Sequence, residues 1–372
     1  MSDYIITFTP EEPYFLGNER TFSFGDNKDK QQRSGKYHIE SDKIPSQTTL
    51  LGTLRYLLLG DIRKDKFDYS PEQRKAMEKR IGKDSFKISS KEVQNFGIIK
   101  KMSPLFIRRG QTNYVRLPLN HKVGEEIRTY TPFMIETNEI ETNVGKKKLP
   151  TNYCAKNGIL TNAYLPINAG NQLILKESDL FKDVIRTGIK TGGEDDSFFR
   201  KSYCQLVEGF GFSIMVKIDT EDDFLKETAL SFLNNPDKNQ IVYMGLGKST
   251  FRVTAEKIEE DPITENTKKI LSLKNNETQN WAYAQSDLLV PIEIYKTCSF
   301  ASTQTRELRT LTTNANGRYS RSPHLYTLIE AGSFFVLNDK EKFRAYIEAE
   351  KNMMLIGWNK IIYGGKNDSK SL

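Results

Sequence analysis

Apolar and polar positions alternate in several segments of the chain, the pattern of a half-buried β-strand. The first segment is residues 4–9 (YIITFT), which is rich in β-branched and aromatic side chains and stops at Pro10. Further strands are predicted at 203–218, where Phe212, Ile214, Val216 and Ile218 alternate, and at 240–244, 249–254, 324–337 and 353–363.

Three other segments have the period of a helix. In residues 44–60 (IPSQTTLLGTLRYLLLG) the leucines at 50, 54, 57 and 58 share one side, and Ser46 or Gln47 can cap the start. Ser70-Pro71 begins a helix to about residue 80, which stops near Gly82. Residues 221–234 begin with acids, which the helix dipole favours there. A strand, this helix and two strands follow one another, as in a ferredoxin-like unit.

Polar stretches separate these elements. Residues 25–43 are predicted to be a loop or a mobile hairpin, residues 255–280 a surface loop, and residues 120–160 an extended insertion. A second unit begins near residue 175, so we expect an N-terminal domain at 1–175 and a C-terminal domain at 176–372.

The composition is that of a folded chain with a basic excess. Of 372 residues 37% are hydrophobic, with 21 Phe and 17 Tyr, enough for a sizeable core. The net charge of +7 permits a polyanionic partner. Residues 61–110 carry 14 Lys and Arg against 7 Asp and Glu. The net charge of this segment, 14 − 7 = +7, equals that of the whole chain. Such clustering suits contact with phosphates, and a solvated helix face explains it equally well.

Several classes of protein are not indicated. The three cysteines, Cys154, Cys204 and Cys298, are too far apart for a zinc motif and odd in number for a disulfide framework. The N-terminus lacks the pattern of a signal peptide, and no stretch reaches the ~20 apolar residues of a membrane span. We expect a cytoplasmic protein without a metal or cofactor.

The first helix carries a second pattern, because Thr48, Gly52 and Arg55 share the side opposite the leucines. A glycine inside a helix costs roughly 1 kcal/mol relative to alanine, so it usually allows another backbone to come close. That backbone is either an RNA strand, with Arg55 reaching a phosphate, or a neighbouring strand of the protein itself.

The segment Gly247-Lys248-Ser249 resembles the end of a Walker A loop, but Val242 stands where that motif needs a glycine. The following residues also alternate as a strand, whereas a Walker loop leads into a helix. We interpret residues 245–249 as a glycine-rich turn whose backbone N–H groups, Lys248 and Ser249 meet phosphates. A plain tight turn is the alternative.

Catalysis is poorly provided for. His38, His121 and His324 lie in unrelated contexts, and His38 lies beside Tyr37 in a polar loop. Cleavage of RNA by attack of its 2′-OH would need a general base. Lys36 or Lys43 could supply the cation that such a reaction needs. The acidic run at 194–196 is interpreted as a solvated loop rather than a metal site.

Six phrases along the chain resemble a known family in their order. They are Glu12–Phe22, Pro45–Arg55, Arg186–Ile189, Met244–Ser249, Glu330–Ser333 and Ile356–Asn359. On these phrases the chain is similar to the RAMP superfamily, the RNA-binding subunits of CRISPR effector complexes. The similarity is greatest to the third subunit of the Cmr (type III-B) complex, in the Cas-five group. Each phrase is weak alone, but the ordered set is specific.

The resemblance implies an α+β fold with two ferredoxin-like (RRM-like) RAMP halves. It implies a non-catalytic subunit of a type III effector complex in antiviral defence, which holds the 5′ tag of the CRISPR RNA. Its partners would be that RNA, the large polymerase/cyclase subunit and the backbone RAMP subunits, with no membrane.

The residues predicted to bind RNA are basic, glycine, serine and tyrosine positions in or near these phrases. They are Tyr37, Ser46, Gly52, Arg55, Lys146, Lys147, Lys148, Arg186, Lys190, Gly245, Gly247, Lys248, Ser249, Arg252 and Arg318. Two alternatives stay open: a metal-independent endoribonuclease that processes CRISPR precursors on the same fold, for which the resemblance implies His38 as the general base, and a docking protein without RNA contacts.

Overall fold

The computed structural model describes most of the chain. The described residues are 2–17, 21–24, 36–60, 70–83, 85–88, 92–121, 130–132, 137–143, 145–150, 162–168, 173–190, 197–219, 240–245, 248–275, 279–313, 319–321 and 324–365. Within them no helix combines the length and apolar character needed to cross a membrane.

The described elements are mostly strands. The first ten strands are β1 (Ser2–Pro10), β2 (Thr21–Phe24), β3 (Lys36–Glu40), β4 (Ile99–Met102), β5 (Phe106–Arg109), β6 (Thr112–Arg116), β7 (Thr137–Thr142), β8 (Gly145–Pro150), β9 (Ala163–Pro166) and β10 (Leu175–Lys176). The others are β11 (Phe181–Lys190), β12 (Ser197–Leu206), β13 (Phe210–Ile218), β14 (Gln240–Met244), β15 (Ser249–Ile258), β16 (Trp281–Ala284), β17 (Cys298–Ser302), β18 (Thr305–Leu308), β19 (Leu311–Thr313), β20 (Tyr319–Arg321), β21 (Tyr326–Ile329), β22 (Phe334–Leu337) and β23 (Ile361–Gly364).

Helices are fewer and shorter in total. They are α1 (Gln47–Leu58), α2 (Pro71–Ile81), α3 (Glu177–Leu180), α4 (Thr264–Lys274), α5 (Lys340–Glu348) and α6 (Lys351–Leu355), with a 3₁₀ helix at Ile292–Thr297. The predicted α+β class is confirmed.

Three sheets carry most of the strands. The main sheet has the order β10-β9-β6-β5-β13-β1-β15-β14, and β4 pairs with β13 beyond the end of β5. A flanking sheet has the order β11-β12-β3-β2, and a C-terminal sheet has the order β17-β22-β16-β23. The main sheet thus combines β1 with strands that lie beyond residue 175, and the division into domains at that residue stays a prediction.

Both faces of the main sheet are covered. On one face Leu50, Leu54 and Leu58 of α1 share a core with Ile6 and Phe8 of β1. On the other face the C-terminal sheet and α4 cover the main sheet. The side chains packed there include Ile5, Met215, Leu271, Trp281, Tyr283 and Ile362. Side chains of β1 therefore enter two separate cores, because successive residues of a strand point to opposite sides.

The local predictions for the first two helices are confirmed. The Ser46 hydroxyl accepts a hydrogen bond from the Thr49 N–H (3.3 Å), and the Ser70 hydroxyl accepts one from the Gln73 N–H (3.2 Å). The four leucines predicted to face a core in α1 are buried. The alternating residues of β13 are buried as well: Phe212, Ile214, Val216 and Ile218.

Other predictions were wrong. Residues 255–280 are not a loop, because β15 continues to Ile258 and α4 follows. At the start of α4 the Asp261 carboxylate accepts hydrogen bonds from the N–H groups of Ile263 and Thr264. Leu271 of α4 is buried in the core. The acidic and Asn-rich flanks hid this short helical period.

For residues 25–43 the hairpin alternative fits, because β3 at the end of this segment pairs antiparallel with β2, while residues 25–35 lie outside the described part. Two further segments differ from their predictions. The strand predicted at 353–363 is α6, a turn at Gly357 (φ +91°) and β23. The segment 324–337 is two strands, β21 and β22, rather than one. The helix predicted at 221–234 lies outside the described residues.

Candidate nucleic-acid interface

Residues 11–17 continue from β1 and join the main sheet to the flanking sheet. Tyr14 exchanges two backbone hydrogen bonds with Cys204 of β12 (2.8 and 2.9 Å), and the Asp42 N–H donates to the Leu16 carbonyl (2.8 Å). The buried side chain of Phe15 therefore lies where the two sheets meet.

A cluster of two aromatic rings and two cations surrounds this point. The Lys201 ammonium lies 4.0 Å from the centroid of the Phe15 ring and 4.8 Å from that of Tyr203. The Arg186 guanidinium stacks 4.5 Å from the Tyr203 ring, and the rings of Phe15 and Tyr203 meet edge to face at 5.6 Å. Each cation–π contact is worth roughly 0.5–1 kcal/mol at an exposed site, so the cluster holds two positive charges in fixed positions. We call these four residues the aromatic–cation cluster.

The turn between β14 and β15 packs beside this cluster. Gly245 has φ +78°, and a Cβ there would lie 2.1 Å from the Phe15 carbonyl oxygen, so no other residue fits. The Phe15 N–H donates to the Ser249 hydroxyl (3.2 Å), which is buried and does not face solvent. Lys248 has φ +56° and is exposed at the tip. The glycine signal at 245 thus reflects the close approach of the protein's own backbone, while Gly247 lies outside the described residues.

Carboxylates adjoin the same turn. The Glu12 carboxylate accepts a hydrogen bond from the Thr250 N–H (3.0 Å). Hydrogen bonds from the backbone and side chain of Thr250, and then the charge of Arg186, lower the pKa of Glu12. Arg252 pairs with Glu11 at 2.7 Å, with both side chains partly exposed. An exposed pair of this kind contributes about 0–1 kcal/mol, so an RNA phosphate can displace Glu11 from Arg252 at little cost.

Buried polar groups hold residues 11–17 in place. The Tyr14 hydroxyl donates to the Lys43 carbonyl (2.5 Å), and burial raises the pKa of Tyr14 well above its usual value. Lys43 pairs with Glu177 at 2.9 Å. Burial alone would lower the pKa of Lys43, but the hydrogen bond and charge of Glu177 raise it overall. The ammonium group of Lys43 is therefore held by Glu177.

The three predicted residues of the first helix differ in exposure: Gly52 is exposed, whereas Ser46 and Arg55 are half-buried. Ser46 caps the helix, and the Arg55 guanidinium donates to the Gly82 carbonyl (3.0 Å). Gly52 is exposed, and no described atom lies within 4 Å of the position that a Cβ would take. The interpretation that Gly52 packs tightly against a neighbouring strand is therefore wrong.

The remaining predicted residues are dispersed. Lys146 is exposed on the β7–β8 hairpin, which pairs with no other described strand, and the side chains of Lys147 and Lys148 lie outside the described part. The backbones of Tyr37 and Lys190 belong to β3 and β11 of the flanking sheet, but their side chains also lie outside it. Arg318 lies wholly outside the described residues.

Few of the described residues are candidates for a catalytic role. His121 is buried, its Nδ1 accepts the Thr131 N–H (3.0 Å), and burial lowers its pKa. His324 is exposed, and the side chain of His38 lies outside the described part. Within that part no three His, Cys, Asp or Glu residues could hold a metal ion together. The turn at 245–249 leads into strand β15, which confirms that it is not a Walker A loop.

Three members of the aromatic–cation cluster were not singled out from the sequence: Phe15, Lys201 and Tyr203. Phe15 was part of a family-like phrase, and Lys201 and Tyr203 alternate in a strand pattern. Their proximity results from pairing between residues about 190 positions apart, which periodicity does not reveal.

The two glycines provide a matched pair of substitutions. Gly52→Ala should raise the free energy of unfolding by about 0.5–1 kcal/mol, because the site is helical and open. Gly245→Ala should lower it by about 2 kcal/mol or more, because φ is positive and the Phe15 carbonyl blocks the Cβ. Urea denaturation of both variants measures this, and equal effects would contradict the described packing.

Burial raises the pKa of the Cys204 and Cys298 thiols to about 11. Since only the thiolate reacts, alkylation at pH 8 should be about 100-fold slower in the folded protein than in urea, and should accelerate as the pH rises toward that pKa. Mass spectrometry of peptides after timed exposure to iodoacetamide measures each thiol. Labelling of Cys204 at the unfolded rate would refute its placement.

Comparison with known proteins places the chain in a family. Residues 6–260 match the family described as CRISPR-associated protein (Cas_Cmr3). A chain of the cryo-EM structure of the type III-B Cmr-beta bound to cognate target RNA is similar, with 12% identity, a TM-score of 0.47 and coverage of 97% of this chain and 96% of that one. A chain of the crystal structure of the Csm3-Csm4 subcomplex in the type III-A CRISPR-Cas interference complex has 12% identity, a TM-score of 0.38 and coverage of 90% and 92%.

No curated protein matches this chain. The family match nevertheless spans well over half of the sequence. The chain therefore belongs to the Cas_Cmr3 family of CRISPR-associated proteins and is a component of a CRISPR effector complex.

Proposed function

We propose that this chain is a non-catalytic, CRISPR RNA-binding subunit of a type III effector complex. It holds the 5′ tag of the guide RNA, and it docks the large polymerase/cyclase subunit and the backbone RAMP subunits in antiviral defence. The observation that carries the proposal is the aromatic–cation cluster beside the turn at 245–249, in a chain of the Cas_Cmr3 family.

The cluster suits a single strand of RNA. Arg186 and Lys201 present fixed positive charge to phosphates, and Lys248 adds a third cation from the exposed turn. The partly buried ring of Tyr203 can stack on an unpaired base, a contact worth about 1–3 kcal/mol. Such contacts fix the register of the guide, while base pairing elsewhere supplies specificity for the target.

The open side of α1 supports a second contact for the same strand. Gly52 leaves its side of the helix without a side chain, so an RNA backbone can approach there. In that case Gly52→Ala stabilises the protein but weakens its binding of RNA. These two effects of opposite sign distinguish an RNA contact from a position without function.

Removing a cation from the cluster should weaken binding and reduce its salt dependence. If about five phosphates are neutralised, the log–log slope of affinity against salt is about −3.5, and Lys201→Gln or Arg186→Gln should bring it to about −2.8. Fluorescence anisotropy with the guide RNA from the native complex measures the slope. Arg200→Gln is the matched control, because Arg200 is the exposed neighbour on the other face of β12.

Two outcomes would sink this proposal. A slope that is flat, or that changes equally for Lys201→Gln and Arg200→Gln, would mean that the cluster does not bind the strand. Cleavage of precursor RNA that persists with chelator and is abolished by His38→Ala would show a processing nuclease instead.

A further inference from the structure

The short strand β4 contains a β-bulge. Lys101 lies opposite Lys217 of β13, but the next pair along the ladder joins Ile99 to Ile218, so Lys100 is an extra residue on β4. A bulge of this kind turns the side chains on its two sides to faces that regular alternation would not give them.

The bulge brings two lysines together on one face. Ile99 and Met102 both enter the core beneath α1, so Lys101 points to the opposite face of the main sheet, as Lys217 does. Like charges directly opposite each other on paired strands are destabilising. Neither lysine forms an ion pair within the described part of the chain. Asp3 lies opposite Lys217 on β1 without a bond to it.

A third lysine approaches from the C-terminal sheet. Lys360 precedes β23 and shares a face with Ile362, which packs against the main sheet. Its N–H donates to the Ser286 hydroxyl (2.9 Å). Burial, and after it the charge of Lys101, lower the pKa of Lys360 to about 8. No carboxylate offsets either effect on the pKa of Lys360. Three lysines thus gather here, and Asp3, opposite Lys217 on β1, does not balance their charge.

A buried amide completes the arrangement. The Gln285 N–H donates to the Lys360 carbonyl (2.9 Å), and the Gln285 side chain shares a face with Trp281 and Tyr283, toward the main sheet. Gln285 is 6% exposed, and its Nε2 has no hydrogen-bond partner among the described residues. A buried donor without an acceptor costs free energy, and a bound anion would remove that cost.

We propose that Lys101, Lys217, Lys360 and Gln285 form a binding site for a phosphate group, separate from the aromatic–cation cluster. Three ammonium groups and one amide offer more donors than the two oxygens of a single carboxylate can take up. A phosphate ion presents four oxygens, and successive phosphodiesters of an RNA strand present two non-bridging oxygens each. The phosphate belongs either to the backbone of an RNA strand or to a free phosphate ion. A carboxylate from an acidic protein segment is the rival ligand.

The test measures binding of two probes to the full-length chain: inorganic phosphate by calorimetry, and a labelled oligouridine by anisotropy. Lys101→Gln and Lys360→Gln should each weaken phosphate binding about tenfold. Lys100→Gln is the matched control and should stay within about twofold, because Lys100 donates instead to the Gly97 carbonyl (3.1 Å). If Lys360→Gln does not fold, Lys101→Gln still tests the proposal, because Lys101 is exposed.

The probes separate the sources of the phosphate. Loss of oligouridine affinity in the same variants supports an RNA strand, and loss for inorganic phosphate alone supports a free ion. Arg200→Gln, which removes an exposed charge outside both sites, should leave phosphate binding unchanged. Equal binding by the Lys100 and Lys101 variants would overturn the proposal. So would an oligoglutamate peptide that binds more tightly than either probe with the same dependence on lysine.

Discussion

The structure depends on the pairing of β1 with β13 on one side and β15 on the other. This places the first residues of the chain at the centre of the main sheet, where alternate side chains enter two different cores. A strand bonded on both edges has little freedom, so the segment that follows it is fixed as well. Phe15 consequently reaches both the flanking sheet and the turn at Gly245.

The aromatic–cation cluster and the proposed phosphate site differ in how the protein stabilises their positive charge. In the aromatic–cation cluster, Arg186 and Lys201 lie over aromatic rings, which partly stabilise them without any ligand. In the proposed phosphate site, Lys101 and Lys217 oppose each other and Lys360 is partly buried beside them, while Asp3, opposite Lys217, forms no ion pair with it among the described residues. The first site can stay folded and empty at little cost, whereas the second gains stability from an anion.

Local features of the fold could be predicted from the sequence. The caps at Ser46 and Ser70, the leucine side of α1 and the alternation in β13 each depend on residues close together in the chain. Helix α4 was missed because its flanks are acidic and Asn-rich. The turn at Gly357 was read as strand because positive φ has no signal beyond the glycine itself.

The candidate sites were harder to predict, for a physical reason. Gly245 gave a correct signal of close approach, and the group that approaches it in the structure is the Phe15 carbonyl. Lys201 and Tyr203 meet Phe15 only through pairing of distant segments. The proposed phosphate site depends on a single bulge at Lys100, since regular alternation would place Lys101 on the same face as Ile99. Family resemblance indicated the function, and only the tertiary contacts indicate which side chains serve it.

The most direct test of the central claim is photo-crosslinking of the native effector complex, followed by mass spectrometry of the RNA-linked peptides and sequencing of the linked RNA. The account predicts adducts on the β12 peptide that contains Lys201 and Tyr203, joined to nucleotides of a 5′ tag shared by all the guides. Guide RNA cross-linked only to other subunits, with this peptide free of adducts, would contradict it.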